Sequence, residues 1–135
     1  MATFNLQIIT PDRVFYNGDV EKVIFRGSEG DMAILQNHMP LTTTLSMGEL
    51  RIFMDSKNCR SATLINGFAK IEPNQVVILT DAAEWPEEID VERAESSKAR
   101  AEKRLKESEV DQIRASAALR RAIVRIEVSK TISNK

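Results

Sequence analysis

Cysteine is almost missing from this chain: Cys59 stands alone, so no internal disulfide framework can form. Histidine is also single, at His38, and one His plus one Cys cannot furnish a metal site unless carboxylates dominate it. Nor does the surrounding sequence suggest a Ser-His-Asp or Cys-His pairing. No Gly-x-x-x-x-Gly-Lys-Ser/Thr segment occurs, which excludes a phosphate-cradling ATPase loop of that type. No stretch reaches the roughly 18 apolar residues of a membrane-spanning helix. The opening residues, Met1-Ala2-Thr3-Phe4-Asn5-Leu6, carry neither a basic-then-apolar signal nor an Arg/Ser-rich transit pattern. A role at a membrane would therefore need another subunit to hold the chain there. Charge of one sign is lacking too. Nineteen Lys and Arg against twenty Asp and Glu leave a net charge of −1, which argues against nucleic acid or an anionic membrane as partner on charge alone.

Other scarcities are confined to one part of the chain. The five Gly end at Gly67, the four Pro at Pro86, and the five Phe, one Tyr and one Trp at Trp85. Helices tolerate Gly and Pro poorly, whereas turns and sandwich cores use Gly, Pro and aromatics heavily. The composition thus divides the 135 residues into a β part, 1–86, and an α part, 87–135.

In the first part Phe4, Leu6 and Ile8 alternate, as do Leu50, Ile52 and Met54. Val23-Ile24-Phe25 and Val76-Val77-Ile78-Leu79 read as buried strands. Asn66-Gly67 carries a two-residue hairpin signal, because a type I′ turn needs positive φ at both positions. Glu72-Pro73-Asn74-Gln75, Asp55-Ser56-Lys57-Asn58 and Ser28-Glu29-Gly30-Asp31 read as further turns. Short strands so punctuated predict a sandwich or flattened barrel. In the second part Asp90 caps a helix running to about Glu107, and Ser108 caps another with Glu109 and Asp111 in its first turn. The short connector predicts an antiparallel helical hairpin. The helices offer each other mainly alanines plus Leu105, Ile113, Leu119, Ile123 and Ile126, so hairpin burial is expected to be modest.

The arginines carry the chemistry of this second part. Exposed helices usually balance charge three or four residues away. Arg100 finds only Ser96, Ser97, Lys103 and Arg104 at those spacings. Arg121 finds Ala117, Ala118, Val124 and Arg125, and Arg125 finds Arg121, Ala122, Val128 and Ser129. Arg93, Arg100 and Arg104 share one helical face, and Arg114, Arg121 and Arg125 share the corresponding face of the other. Folded toward each other, the two faces would converge their guanidinium groups, and a polyanion such as a triphosphate would relieve the repulsion. Two plainer readings compete: faces that are simply solvated, or faces that pair with a neighbouring subunit. Nucleic-acid binding fits poorly, because residues 85–135 balance 12 Lys and Arg with 10 Asp and Glu.

Several segments together resemble the epsilon subunits of F-type ATP synthases. They are Gly27-Ser28-Glu29-Gly30-Asp31-Met32-Ala33-Ile34-Leu35-Gln36-Asn37-His38-Met39-Pro40-Leu41, Gln7-Ile8-Ile9-Thr10-Pro11-Asp12, Asn66-Gly67-Phe68-Ala69-Lys70-Ile71 and Glu88-Ile89-Asp90-Val91-Glu92-Arg93-Ala94. Ala33, Gln36 and Asn37 depart from the Gly, Pro and Gly that the family often carries there. The resemblance implies an all-β flattened sandwich of about ten strands followed by a mobile helical hairpin. It implies a non-catalytic rotor subunit on the cytoplasmic side of the cell membrane, held peripherally in the synthase. The implied contacts are Glu29 and Asp31 with the c-ring, and His38, Met39 and Thr43 with the gamma subunit. Extended helices would reach the alpha/beta catalytic head and block ATP hydrolysis. Relatives of this type bind ATP as a regulatory ligand, with the part of Mg²⁺ left open, on the folded hairpin through an Ile-Asp-x-x-Arg-Ala motif and arginines of the second helix. Ile89, Asp90, Arg93 and Ala94 match the motif, and Arg121 and Arg125 match the arginines; Glu84 and Arg100 are further carry-overs. The alternative is a mechanical rotor adaptor with no nucleotide.

Overall fold

The computed structural model describes residues 2–107 and 112–132. The chain divides into two compact units, Met1–Ala83 and Glu84–Lys135.

Eight strands build the first unit: β1 (Phe4–Ile9), β2 (Val14–Val20), β3 (Lys22–Gly27), β4 (Gly30–Leu35), β5 (Leu41–Leu45), β6 (Gly48–Phe53), β7 (Cys59–Glu72) and β8 (Gln75–Glu84). Their pairing follows the path β2-β1-β8-β7-β5-β3-β4, and β6 bridges β3 and β7. The ladder β3-β6-β7-β5 closes back on β3 through Gly27↔Leu45, which gives the β-sandwich its barrel-like closure. β1 and β8 pair in parallel, Asn5↔Gln75 through Ile9↔Leu79. One face of each strand supplies the core. Phe4, Leu6 and Ile8 of β1 are buried with Leu50 and Ile52 of β6. Val23-Ile24-Phe25 and Val76-Val77-Ile78-Leu79 are not buried throughout, as their apolar runs suggested. Val23, Phe25, Val76 and Ile78 face inward, while Ile24 and Val77 are half-buried and Leu79 is exposed, because each strand has only one covered face.

The expected hairpin at Asn66-Gly67 does not form. Both residues have positive φ, 57° and 127°, yet the chain continues through them as one strand. The segment before them pairs with β6, from Phe53↔Cys59 to Gly48↔Leu64, and the segment after them pairs with β5, from Leu45↔Gly67 to Leu41↔Ile71. The two residues therefore bend β7 from one partner to the next, and this continuity is one reason why eight strands stand where about ten were expected. The Thr80 hydroxyl of β8 lies 2.6 Å from the Asn66 carbonyl oxygen and fixes the bend.

The remaining turns form as expected. Pro73-Asn74 joins β7 to β8, and Ser28-Glu29 joins β3 to β4 with Gly30 at φ 129°. Asp55 Oδ1 accepts from the backbone N–H of Lys57 and Asn58 at 2.8 and 2.9 Å. Asn37, where the family often carries Gly, has φ 64°; asparagine is among the few other residues that enter this region readily.

In the second unit a 3-10 turn, Pro86–Glu88, leads into α1 (Val91–Glu107), and α2 (Gln112–Ser129) packs against α1 as a hairpin. The helices are about 26 and 27 Å long at 1.5 Å per residue. The expected cap at Ser108, with Glu109 and Asp111, falls outside the described residues. Small residues dominate the buried stripes: Ala94 and Ala101 on α1, Ala115, Ala122 and Ser129 on α2, each seven residues from the last. Ile113 departs from expectation and is 89% exposed. It lies two residues before Ala115, about 200° around the helix, and so points away from the buried stripe. Leu105, Leu119, Ile123 and Ile126 are half-buried.

Candidate functional site

The helical unit carries its polar groups at the start of α1. Glu88 Oε1 accepts from the Trp85 N–H at 2.9 Å, which fixes the turn that precedes the helix. Asp90 then caps α1: its Oδ1 accepts from Arg93 N–H at 3.0 Å, and its backbone oxygen accepts from Ala94 N–H at 3.0 Å. Capping places a carboxylate at the positive end of the helix dipole, where it is stabilised. Arg93 and Ser97, four residues apart, rise on one face of the first turns.

From α2, Arg125 reaches into the same region. Its Nε donates to Glu84 Oε1 at 2.7 Å, and both side chains are largely covered, 33% and 26% exposed. Glu84, Glu88, Asp90, Arg93, Ala94, Ser97 and Arg125 line a polar cleft of about 330 Å³. That is near the lower end of small-ligand sites. Three carboxylates there face two guanidinium groups, so the cleft is mixed in charge rather than purely basic. A larger groove of about 540 Å³ runs along α1 between Lys98, Lys106 and Lys130, with Glu95 and Glu102, and contains none of the predicted site residues.

The structure brings Glu84, Asp90, Arg93, Ala94 and Arg125 together in one cleft. Ile89 is buried beside it, its N–H donating to the Pro86 oxygen at 3.2 Å. Arg100 lies outside the lining but donates to Ser97 Oγ at 3.1 Å, one step from the cleft. Arg121 is half-buried on α2, outside the lining. Helical spacing offers Arg125 no counter-ion, but Glu84, 41 residues upstream and beyond anything that spacing tests, supplies one. Glu88 and Ser97 were missed as lining residues. Ser97 could have been found from its position four residues beyond Arg93 and seven beyond Asp90.

The β-sandwich presents its predicted contact residues in two places. Glu29 is exposed in the two-residue turn after β3, and Asp31 is exposed on β4 opposite Arg26. Ser28 N–H donates to Thr44 O at 3.3 Å, so this turn lies by the Leu45 end of β5. His38 and Met39 precede the other end of β5. The His38 ring nitrogen Nδ1 lies 2.9 Å from Met39 O, and the Met39 side chain is 78% exposed. Thr43 is half-buried within β5. The two ends of this five-residue strand are about 14 Å apart at 3.4 Å per residue. Exposed Leu41 extends the apolar surface on the Met39 side, whereas exposed Phe68 pairs with Thr44 near the other end of the strand.

Comparison with known proteins covers both units. Residues 3–86 match the family model of the ATP synthase delta/epsilon chain beta-sandwich domain, and residues 87–130 match that of its long alpha-helix domain. The ATP synthase epsilon chain of Ruminiclostridium cellulolyticum is 47% identical over 131 residues, covering 96% of this chain and 97% of that one. The sodium-ion-specific epsilon chain of Acetobacterium woodii is 49% identical over 109 residues, 81% of this chain and 82% of that one. A chain in the Euglena gracilis mitochondrial ATP synthase structure shares the fold at 21% identity, with a TM-score of 0.74 over 99% of this chain and 81% of its own.

Proposed function

Because this chain belongs to the delta/epsilon family of F-type ATP synthases, as an epsilon chain of the central stalk, we propose that it regulates the enzyme through its helical hairpin. The chain carries no catalytic step of its own. The β-sandwich docks on the rotor: exposed Glu29 and Asp31 meet the c-ring, and the surface around His38, Met39 and Thr43 meets gamma. Separation of these two surfaces along β5 supports simultaneous contact with both partners. The assembled protein lies peripherally at the cytoplasmic face of the membrane, held by those contacts.

The folded hairpin binds ATP and is the state that permits hydrolysis; the extended helices engage the alpha/beta head and block it. One observation carries this reading: residues distant in sequence, Glu84, Asp90, Arg93 and Arg125, converge on a single cleft of the hairpin. Carboxylate acceptors suit the amino group of adenine, and guanidinium groups suit the phosphates. A ligand that binds only the folded state stabilises it by about 2.7 kcal/mol at a hundredfold excess over Kd. Calorimetric titration of the full chain with ATP, with and without Mg²⁺, tests the proposal. Saturable binding that Arg125→Ala weakens at least about tenfold is expected, as for a charge-assisted contact. Unchanged affinity in Arg125→Ala would remove the site.

A second reading, a mechanical rotor adaptor, is favoured by the excess of carboxylates over guanidinium groups in the cleft. It predicts no saturable ATP binding, and the same titration separates the two.

A further inference from the structure

The guanidinium group that a phosphate would need from α2 is already engaged. Arg125 Nε lies 2.7 Å from Glu84 Oε1 in a cleft with room for a small ligand. We propose that the Glu84–Arg125 pair is a latch, holding the hairpin's cleft together when no ligand is present and yielding Arg125 to a polyphosphate when one arrives. The proposal rests on reading this cleft as a nucleotide site, and it adds how occupancy of that site is gated.

The three carboxylates of the cleft are not equivalent. Glu88 accepts from the Trp85 N–H, and Asp90 accepts from the Arg93 N–H, so each is tied to the backbone of its own turn. Glu84 instead bonds a cleft arginine, and the bond crosses 41 residues of sequence to join the segment before α1 to α2. A phosphate approaching Arg125 side-on would compete for the same Nε–H. It would also bring negative charge against a carboxylate in a partly covered setting, where repulsion is less screened than in open water. Glu84 must therefore leave Arg125 as the phosphate takes its place. The exchange swaps one bridge for another, so part of each phosphate contact's favourable energy goes to breaking the existing one. Affinity is lowered, and the concentration at which the cleft fills is raised.

The experiment uses inorganic tripolyphosphate, which lacks a base and so isolates the anion contacts, titrated calorimetrically into the full chain beside ATP. Glu84→Gln keeps the side chain's shape and removes its charge; Glu127→Gln removes an exposed α2 charge outside the cleft lining. The latch predicts that Glu84→Gln binds tripolyphosphate about fivefold more tightly than the parent, the scale of one partly exposed ion pair. Glu127→Gln should change affinity by less than about twofold. Glu84→Ala carries the same expectation as Glu84→Gln, so misfolding of one variant leaves the other. Equal gains in the Glu84 and Glu127 variants would reduce the effect to bulk charge and overturn the latch. Unchanged or weaker tripolyphosphate binding in the Glu84 variants, with the parent binding ATP, would overturn the latch and leave the nucleotide site standing. Absence of binding of either ligand by every protein would overturn both. Binding by the Glu84 variants alone would support a latch strong enough to close the cleft to anions.

Discussion

At the scale of single residues, three positions in the β-sandwich make opposite demands. Gly67 has φ 127°, and a Cβ there would press into the Leu79 carbonyl oxygen and come within 2.7 Å of Thr80 Cα. Gly67→Ala is therefore expected to destabilise the chain by about 3 kcal/mol or more, read as a lowered urea midpoint. Thr63 is fully buried on β7, and its hydroxyl has no hydrogen-bond partner among the described residues. Thr63→Val keeps the shape and removes the orphaned hydroxyl, so a gain of about 1 kcal/mol is expected in the same assay. Asp55 lies in the turn after β6, where the Asn58 side chain, then the Lys57 N–H, hold its carboxyl below the ordinary 3.8. A depressed folded pKa contributes stability above the unfolded value and loses it as pH falls through the folded one. Asp55→Ala should accordingly lower the melting temperature at neutral pH, with the difference from the parent vanishing in strong acid. Residues of this local kind were legible in the sequence: the Asp55 turn and positive φ at Asn66-Gly67 follow from residue type alone. Thr63 was not legible, because its cost depends on what surrounds it.

At the scale of elements, period and phase decide what could be foreseen. Alternation at two residues marks Phe4, Leu6 and Ile8 without reference to the rest of the chain, and Asp90 announces α1 by its position before a helical run. Asp90→Ala should remove the cap and cost about 1 kcal/mol of helix stability, visible as faster amide exchange in the first turn of α1. β7 was misread because a turn signal specifies backbone angles, not the pairing on either side; whether Asn66-Gly67 reverses a chain or bends a strand is settled by β5 and β6 competing for it. Ile113 was misplaced for a related reason. Counting apolar residues along α2 ignores their angle to the alanine stripe, which Ala115 and Ala122 define. Filling that stripe is expected to be harmful: Ala122, 1% exposed, leaves no space, and Ala122→Leu should destabilise the helical unit by about 1–3 kcal/mol.

For the whole molecule, the cleft was half legible. Asp90 was legible as a cap and Arg93 from helical spacing, Ala94 came only with the resemblance to the family motif, and the bond between Glu84 and Arg125 joins residues that no periodicity connects. The alanine-lined seam of the helical unit has a thermodynamic consequence for any regulation it performs. Parting two faces built mainly of small residues wets little nonpolar area, and heat capacity rises with that area at about 0.45 cal/K/mol per Å². The balance between closed and open helices should thus vary almost linearly with temperature, without the pronounced curvature of a core-melting transition. A distance probe followed from cold to warm would register that straightness, and a switch so built holds its calibration as its surroundings heat and cool.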